Sequence, residues 1–145
     1  MINKLVGYSI NRSLSTMSIS EKREVVRYCL KYCENEFGRS KYVKDDIRVS
    51  IRKSFYKDIY YGQYCPWSNR MILFYNCIPT LGEFVRTIIH EYTHYCQPII
   101  KKYYKLSERY DYWNHPYEIA ARENEVKYLR NAMKYIRGEI KKKVK

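Results

Sequence analysis

The stretch TLGEFVRTIIHEYTHYCQP, residues 80–98, decides how this chain is read. Thr80 and Glu83 have the spacing of a helix capping box, and Pro98 is a natural stop. Between them Val85, Ile88, Ile89, Tyr92, Tyr95 and Cys96 recur on one side of a 3.6-residue period. The other side gathers Thr87, His90, Glu91 and His94, a polar patch on an otherwise mostly apolar segment. The pattern predicts a helix over 80–97. On it, His90 and His94 share a face one turn apart, roughly 6 Å along the axis. Two imidazoles so placed can reach one ion at about 2.0–2.1 Å each. Glu91, beside His90, is positioned to accept a proton from a metal-bound water instead of ligating. This is an HExxH motif.

With three His and eleven Glu in 145 residues, shuffling produces HExxH in roughly 0.3% of trials. All three histidines, moreover, fall between 90 and 115. A catalytic zinc takes three protein ligands and leaves a place for water. Two residues in NHPYEIAAR, 114–122, can supply the third: Glu118 or His115. Glu118 is preferred. It falls in the first turn of a helix begun by Asn114 or His115 and Pro116, and Ala120 and Ala121 allow close approach to the HExxH helix. A carboxylate near a helix N-terminus is also stable without metal.

Outward from this centre, Ser18 and Glu21 form another capping-box pair, with Ile19, Val25, Val26, Cys29, Leu30 and Cys33 on one side and Gly38 as the stop. They predict a helix over 18–37. Residues 47–53 alternate like a half-buried strand, 56–64 are Tyr-rich, and 70–76 read as a third strand after a turn at Pro66-Trp67-Ser68-Asn69. A small antiparallel or mixed sheet follows. Residues 98–114 show no clear period. The last helix should bury Ala121, Val126, Leu129, Ala132, Met133 and Ile136 and end at Gly138, leaving a frayed basic tail. The expectation is one α+β domain over 1–145.

The formal charge is +13, from 28 Lys and Arg against 15 Asp and Glu. Such a basic protein attracts nucleic acid, anionic membrane or acidic proteins, although an AT-rich genome produces the same bias. No run of 18 apolar residues is present, and MINKLVGYSINRSLS lacks the apolar core of a secretory signal. Five scattered cysteines, an odd number, suit free thiols in a reducing, cytoplasmic setting. Lys and Arg are spread along the chain, and no recognised nucleic-acid motif is present.

The order of a strand, the HEYTH helix, a loop and the PYEIAAR helix, over about residues 70–125, resembles the gluzincin branch of the zincin metallopeptidases, in particular small bacterial, phage, plasmid and viral forms. The resemblance implies a minimal zincin-like fold, Zn²⁺ held by His90, His94 and Glu118, and peptide hydrolysis with Glu91 as general base. It implies a protein or peptide substrate and an exposed edge strand along the cleft, a part that residues 70–76 would play. Ala120 stands where many relatives carry an acid, so Glu123 or Glu125 would take over that supporting role. Tyr112, Tyr117 and His115 are candidates to stabilise the oxyanion. The rivals are a nucleic-acid-associated protease with His115 as third ligand, and an inactive metal- or nucleic-acid-binding module.

Overall fold

The computed structural model describes residues 6–55, 60–98 and 100–143. It is an α+β fold of four helices and one three-stranded mixed sheet. The helices are α1 (Ile19–Phe37), α2 (Leu81–Cys96), α3 (Ile100–Ser107) and α4 (Pro116–Lys143), and the strands are β1 (Arg48–Arg52), β2 (Gly62–Cys65) and β3 (Arg70–Phe74).

The capping box at Ser18 forms in full: its hydroxyl accepts from the Glu21 N–H, and the Glu21 carboxylate accepts from the Ser18 N–H. Gly38 ends the helix at φ 76°, a backbone state that disfavours other residues. Val25, Cys29 and Cys33 are fully buried, whereas Ile19, expected on the same face, is 44% exposed at the helix start.

The sheet order is β1-β3-β2, with β1 parallel and β2 antiparallel to β3. The central strand is therefore β3, not the exposed edge that residues 70–76 were expected to form. Its run Met71-Ile72-Leu73 is buried throughout, as befits a strand paired on both sides. β2 is the edge. Of the strand expected over 56–64, residues 56–59 lie outside the described residues, and the described strand begins at Gly62. The turn at 66–69 occurs where expected. Asn69 adopts φ 48° there, and its side chain ties the turn to the Asp45 and Asp46 carbonyls.

α2 runs through the core against α1, α4 and the sheet, with Leu81, Phe84, Val85, Ile88 and Ile89 fully buried. Thr80 caps it by accepting from the Glu83 N–H, but the Glu83 carboxylate turns to Arg86 instead of closing the box. The N-terminal segment takes up part of that task. The Ile10 and Arg12 carbonyls accept from the Gly82 and Leu81 N–H groups, which would otherwise lack partners at the helix start.

Two expectations for the last helix are corrected. α4 continues past Gly138 to Lys143, because Ile140 packs into the core and Lys143 Nζ reaches Glu24 on α1 at 3.0 Å. Val126 is 65% exposed, and Glu125 takes the inward position instead. The supposedly irregular 98–114 segment contains α3, too short to show a period, whose Tyr103 stacks on His115 at 4.0 Å. No helix among the described residues is long and apolar enough to cross a membrane.

Candidate metal centre

His90 and His94, projecting from the middle of α2, meet Glu118 from the first turn of α4. One ligand atom from each lies within 4.8 Å of the others. The two imidazole Nε2 atoms are 3.2 Å apart. The Glu118 carboxylate lies 3.1 Å from His90 Nε2 and 3.1 Å from His94 Nε2. The cluster is largely sequestered, with Glu118 only 5% exposed.

The opposite ring nitrogens settle the tautomers. His90 Nδ1 is 2.9 Å from Glu125 Oε2. An ionised carboxylate only accepts, so Nδ1 carries the proton. His94 Nδ1 is 2.7 Å from Gln97 Oε1, and Gln97 Nε2 donates to the Tyr117 carbonyl. That donation fixes the amide orientation and makes His94 Nδ1 a donor too. In the neutral rings both Nε2 atoms then present lone pairs to each other and to a carboxylate. Three acceptors converging in this way repel unless a cation lies among them. Their separations also suit zinc: a tetrahedron with ligand bonds of about 2.0 Å has edges of about 3.3 Å.

Protonation tells the same story. Burial works against charge on His90, yet hydrogen bonds to Glu118 and Glu125 outweigh it and raise its pKa to about 10. His94 is raised as well, against its burial, by its hydrogen bond to Glu118. Burial pushes Glu118 the other way, but the two imidazoles hold its carboxyl well below the usual carboxylate range. Without metal, a proton is the cation that serves. A raised histidine stabilises the fold fully below pH 6.5 and loses that contribution as pH climbs through about 10. The metal-free chain is therefore expected to melt at progressively lower temperature from neutral pH toward pH 10. Zinc uptake at neutral pH should release protons, read by calorimetry in buffers of different ionisation enthalpy. Uptake with no proton release would contradict this account of the cluster.

Glu91 is buried beside the cluster, not within it. Burial raises its pKa, opposed by the nearby His94 and His90 and by the Tyr64 backbone amide of β2. A buried carboxyl shifted upward beside a cation site is what a general base requires. The edge strand comes this close because of Gly62. A Cβ there would stand 2.8 Å from Thr87 Cγ2 and 2.9 Å from the Ile72 carbonyl. Gly62→Ala is expected to push β2 away from α2, lowering the melting temperature and weakening the Tyr64–Glu91 contact. An unchanged melting temperature would show that the strand has room to spare.

Of the expected site residues, His90, His94, Glu118 and Glu91 come together. His115 does not join them. It is 1% exposed, its Nε2–H donates to the Tyr103 carbonyl, and its Nδ1 accepts from the Tyr117 N–H. Both ring nitrogens are thus committed, leaving none for a metal. Between the two proposed supporting acids, Glu125 touches His90 while Glu123 is exposed. Glu125→Gln keeps an acceptor for His90 Nδ1–H but removes the charge that makes the imidazole more basic, and is expected to weaken zinc binding about 10–100-fold in a chelator competition. Equal affinity would remove Glu125 from the site.

Sequence reasoning missed two residues. Gln97, three after His94, holds that ring, and its place at the helix end was the available signal. Tyr103 donates to Glu118 Oε1 at 2.9 Å, and no local pattern marked it among 18 tyrosines.

The comparisons do not extend this picture. No protein-family model, curated protein or solved structure matches the chain.

The cluster opens on a cavity of about 330 Å³ whose walls are mainly aromatic, including Tyr42, Tyr60, Tyr64 and Tyr117. Gly62, Gln63 and Tyr64 of β2 form one wall. The Tyr117 hydroxyl is buried without a hydrogen-bond partner among the described residues. Burial raises the Tyr112 phenol, and the neighbouring Glu118 adds to the shift.

Proposed function

We propose that the protein is a zinc-dependent peptidase. The observation that carries this reading is the convergence of two imidazole Nε2 atoms and a carboxylate at 3.1–3.2 Å, beside the buried Glu91. His90, His94 and Glu118 would hold the ion. Zinc bound there would polarise a carbonyl and lower the pKa of water toward neutrality.

The chain's own groups account for the remaining requirements. Glu91 takes the proton from the attacking water and passes it to the leaving amine. Glu125 and Gln97 keep both histidine rings in the ligating tautomer. The β2 edge beside the cavity offers backbone groups for an extended peptide to pair with.

The inactive-module reading differs in one respect, that Glu91 would have no role. The three-histidine reading needs a free nitrogen on His115, and both are in use. The test is zinc content by elemental analysis together with mass-spectrometric detection of cleavage in a diverse peptide mixture, before and after chelation. About one zinc per chain and chelator-sensitive cleavage are expected. Zinc without cleavage of any peptide would favour the binding module, and no zinc at all would overturn the metal reading.

A further inference from the structure

The outer face of α4 has properties that the metal centre does not use. Lys127, Arg130, Lys134, Arg137 and Lys141 recur at helical spacing, and all but the half-buried Arg137 are exposed. At about 100° per residue they fall in one stripe, nearly opposite the line of Glu118, Ala121, Ala132 and Ile136 that faces the core. Among the described residues none of the five forms an ion pair. Lys142 and Lys143, off the stripe, are by contrast neutralised by Glu139 and Glu24. No acidic residue interrupts the stripe between 127 and 141, since Glu139 lies on another side of the helix. Five of the chain's 28 Lys and Arg residues are aligned here by the helical period.

The stripe is about 21 Å long at 1.5 Å rise per residue. A B-form duplex carries one phosphate charge per about 1.7 Å of axis, both strands counted, so a cationic rod of this length laid against it meets several phosphates. A lipid surface fits less well. A helix that lies on a bilayer buries an apolar face in it, and the apolar face of α4 is already used against the core, leaving Val126 and, nearer the helix start, Ile119 exposed.

We propose that this face of α4 is a sequence-independent docking surface for the phosphate backbone of duplex nucleic acid. Because it points away from the cleft, the metal centre stays accessible while the duplex is bound. The inference does not depend on the peptidase reading.

The experiment measures binding of a fluorescent duplex of about 20 base pairs by anisotropy, from about 50 to 200 mM salt. Three proteins are compared: the parent chain, Lys127→Gln/Arg130→Gln/Lys134→Gln, and Lys101→Gln/Lys102→Gln/Lys105→Gln. The last removes the same charge from exposed positions on α3. Circular dichroism checks that both variants fold, which surface Lys or Arg to Gln changes in helices should permit. Five phosphate contacts predict a log–log salt slope of about −4.5 for the parent, falling to about −1.8 in the α4 variant, with the α3 variant near the parent value. The proposal is overturned if the parent does not bind duplex at the lowest salt, or if both variants lose affinity equally, which would mean diffuse charge attraction. It is also overturned if vesicles containing phosphatidylserine, and not duplex, bind in a way that depends on the α4 stripe.

Discussion

Glu91→Gln is expected to keep about one zinc per chain and to lower peptide hydrolysis about 10²–10⁴-fold, the range associated with removing a general base. The substitution keeps size and shape but cannot accept the proton. Retention of zinc follows from position, because Glu91 lies outside the three ligand atoms. Its effect on stability should run opposite to its effect on activity. Burial raises the Glu91 pKa, so the fold disfavours the ionised carboxylate at neutral pH, and a neutral amide relieves that cost. The variant should melt at the same or a higher temperature. Undiminished hydrolysis would refute the assigned role. A fall in melting temperature would mean that the carboxylate supports the fold instead of burdening it.

The second large effect separates the two candidate third ligands. Glu118→Ala removes the only carboxylate among the described residues that meets both imidazoles, and zinc affinity should fall beyond the roughly 100-fold that bounds the loss of an orienting residue. His115→Ala should retain zinc while costing about 2–4 kcal/mol of stability, because it empties a buried site and strands the Tyr117 N–H. The readouts are elemental analysis and denaturant unfolding. Zinc lost with His115→Ala but kept with Glu118→Ala would reverse the assignment.

What could be read from sequence follows from how local each signal is. The HExxH face, the Ser18 capping box and the turn at 66–69 are set by neighbours within a few residues, and they appear in the structure as expected. Strand order is not local. Residues 70–76 were expected to form an exposed edge, and only pairing with both β1 and β2 makes β3 central. Gly138 is a stop signal by itself, but the burial of Ile140 and the reach of Lys143 to Glu24 outweigh its low helix propensity. Val126 fits an apolar period until Glu125 is drawn inward by His90, which is a demand of the site and not of the core. Tyr103 contacts Glu118 from a helix of eight residues whose placement depends on stacking against His115.

Gln97 has a further consequence. Its amide spans from the His94 ring at the end of α2 to the Tyr117 carbonyl at the start of α4. The two ligand-bearing helices are thus clasped by a neutral side chain, independently of any ion between them. A socket held in this way does not have to be drawn shut by its occupant. An ion offered to such a chain would meet a cleft that the polypeptide has already closed on one side.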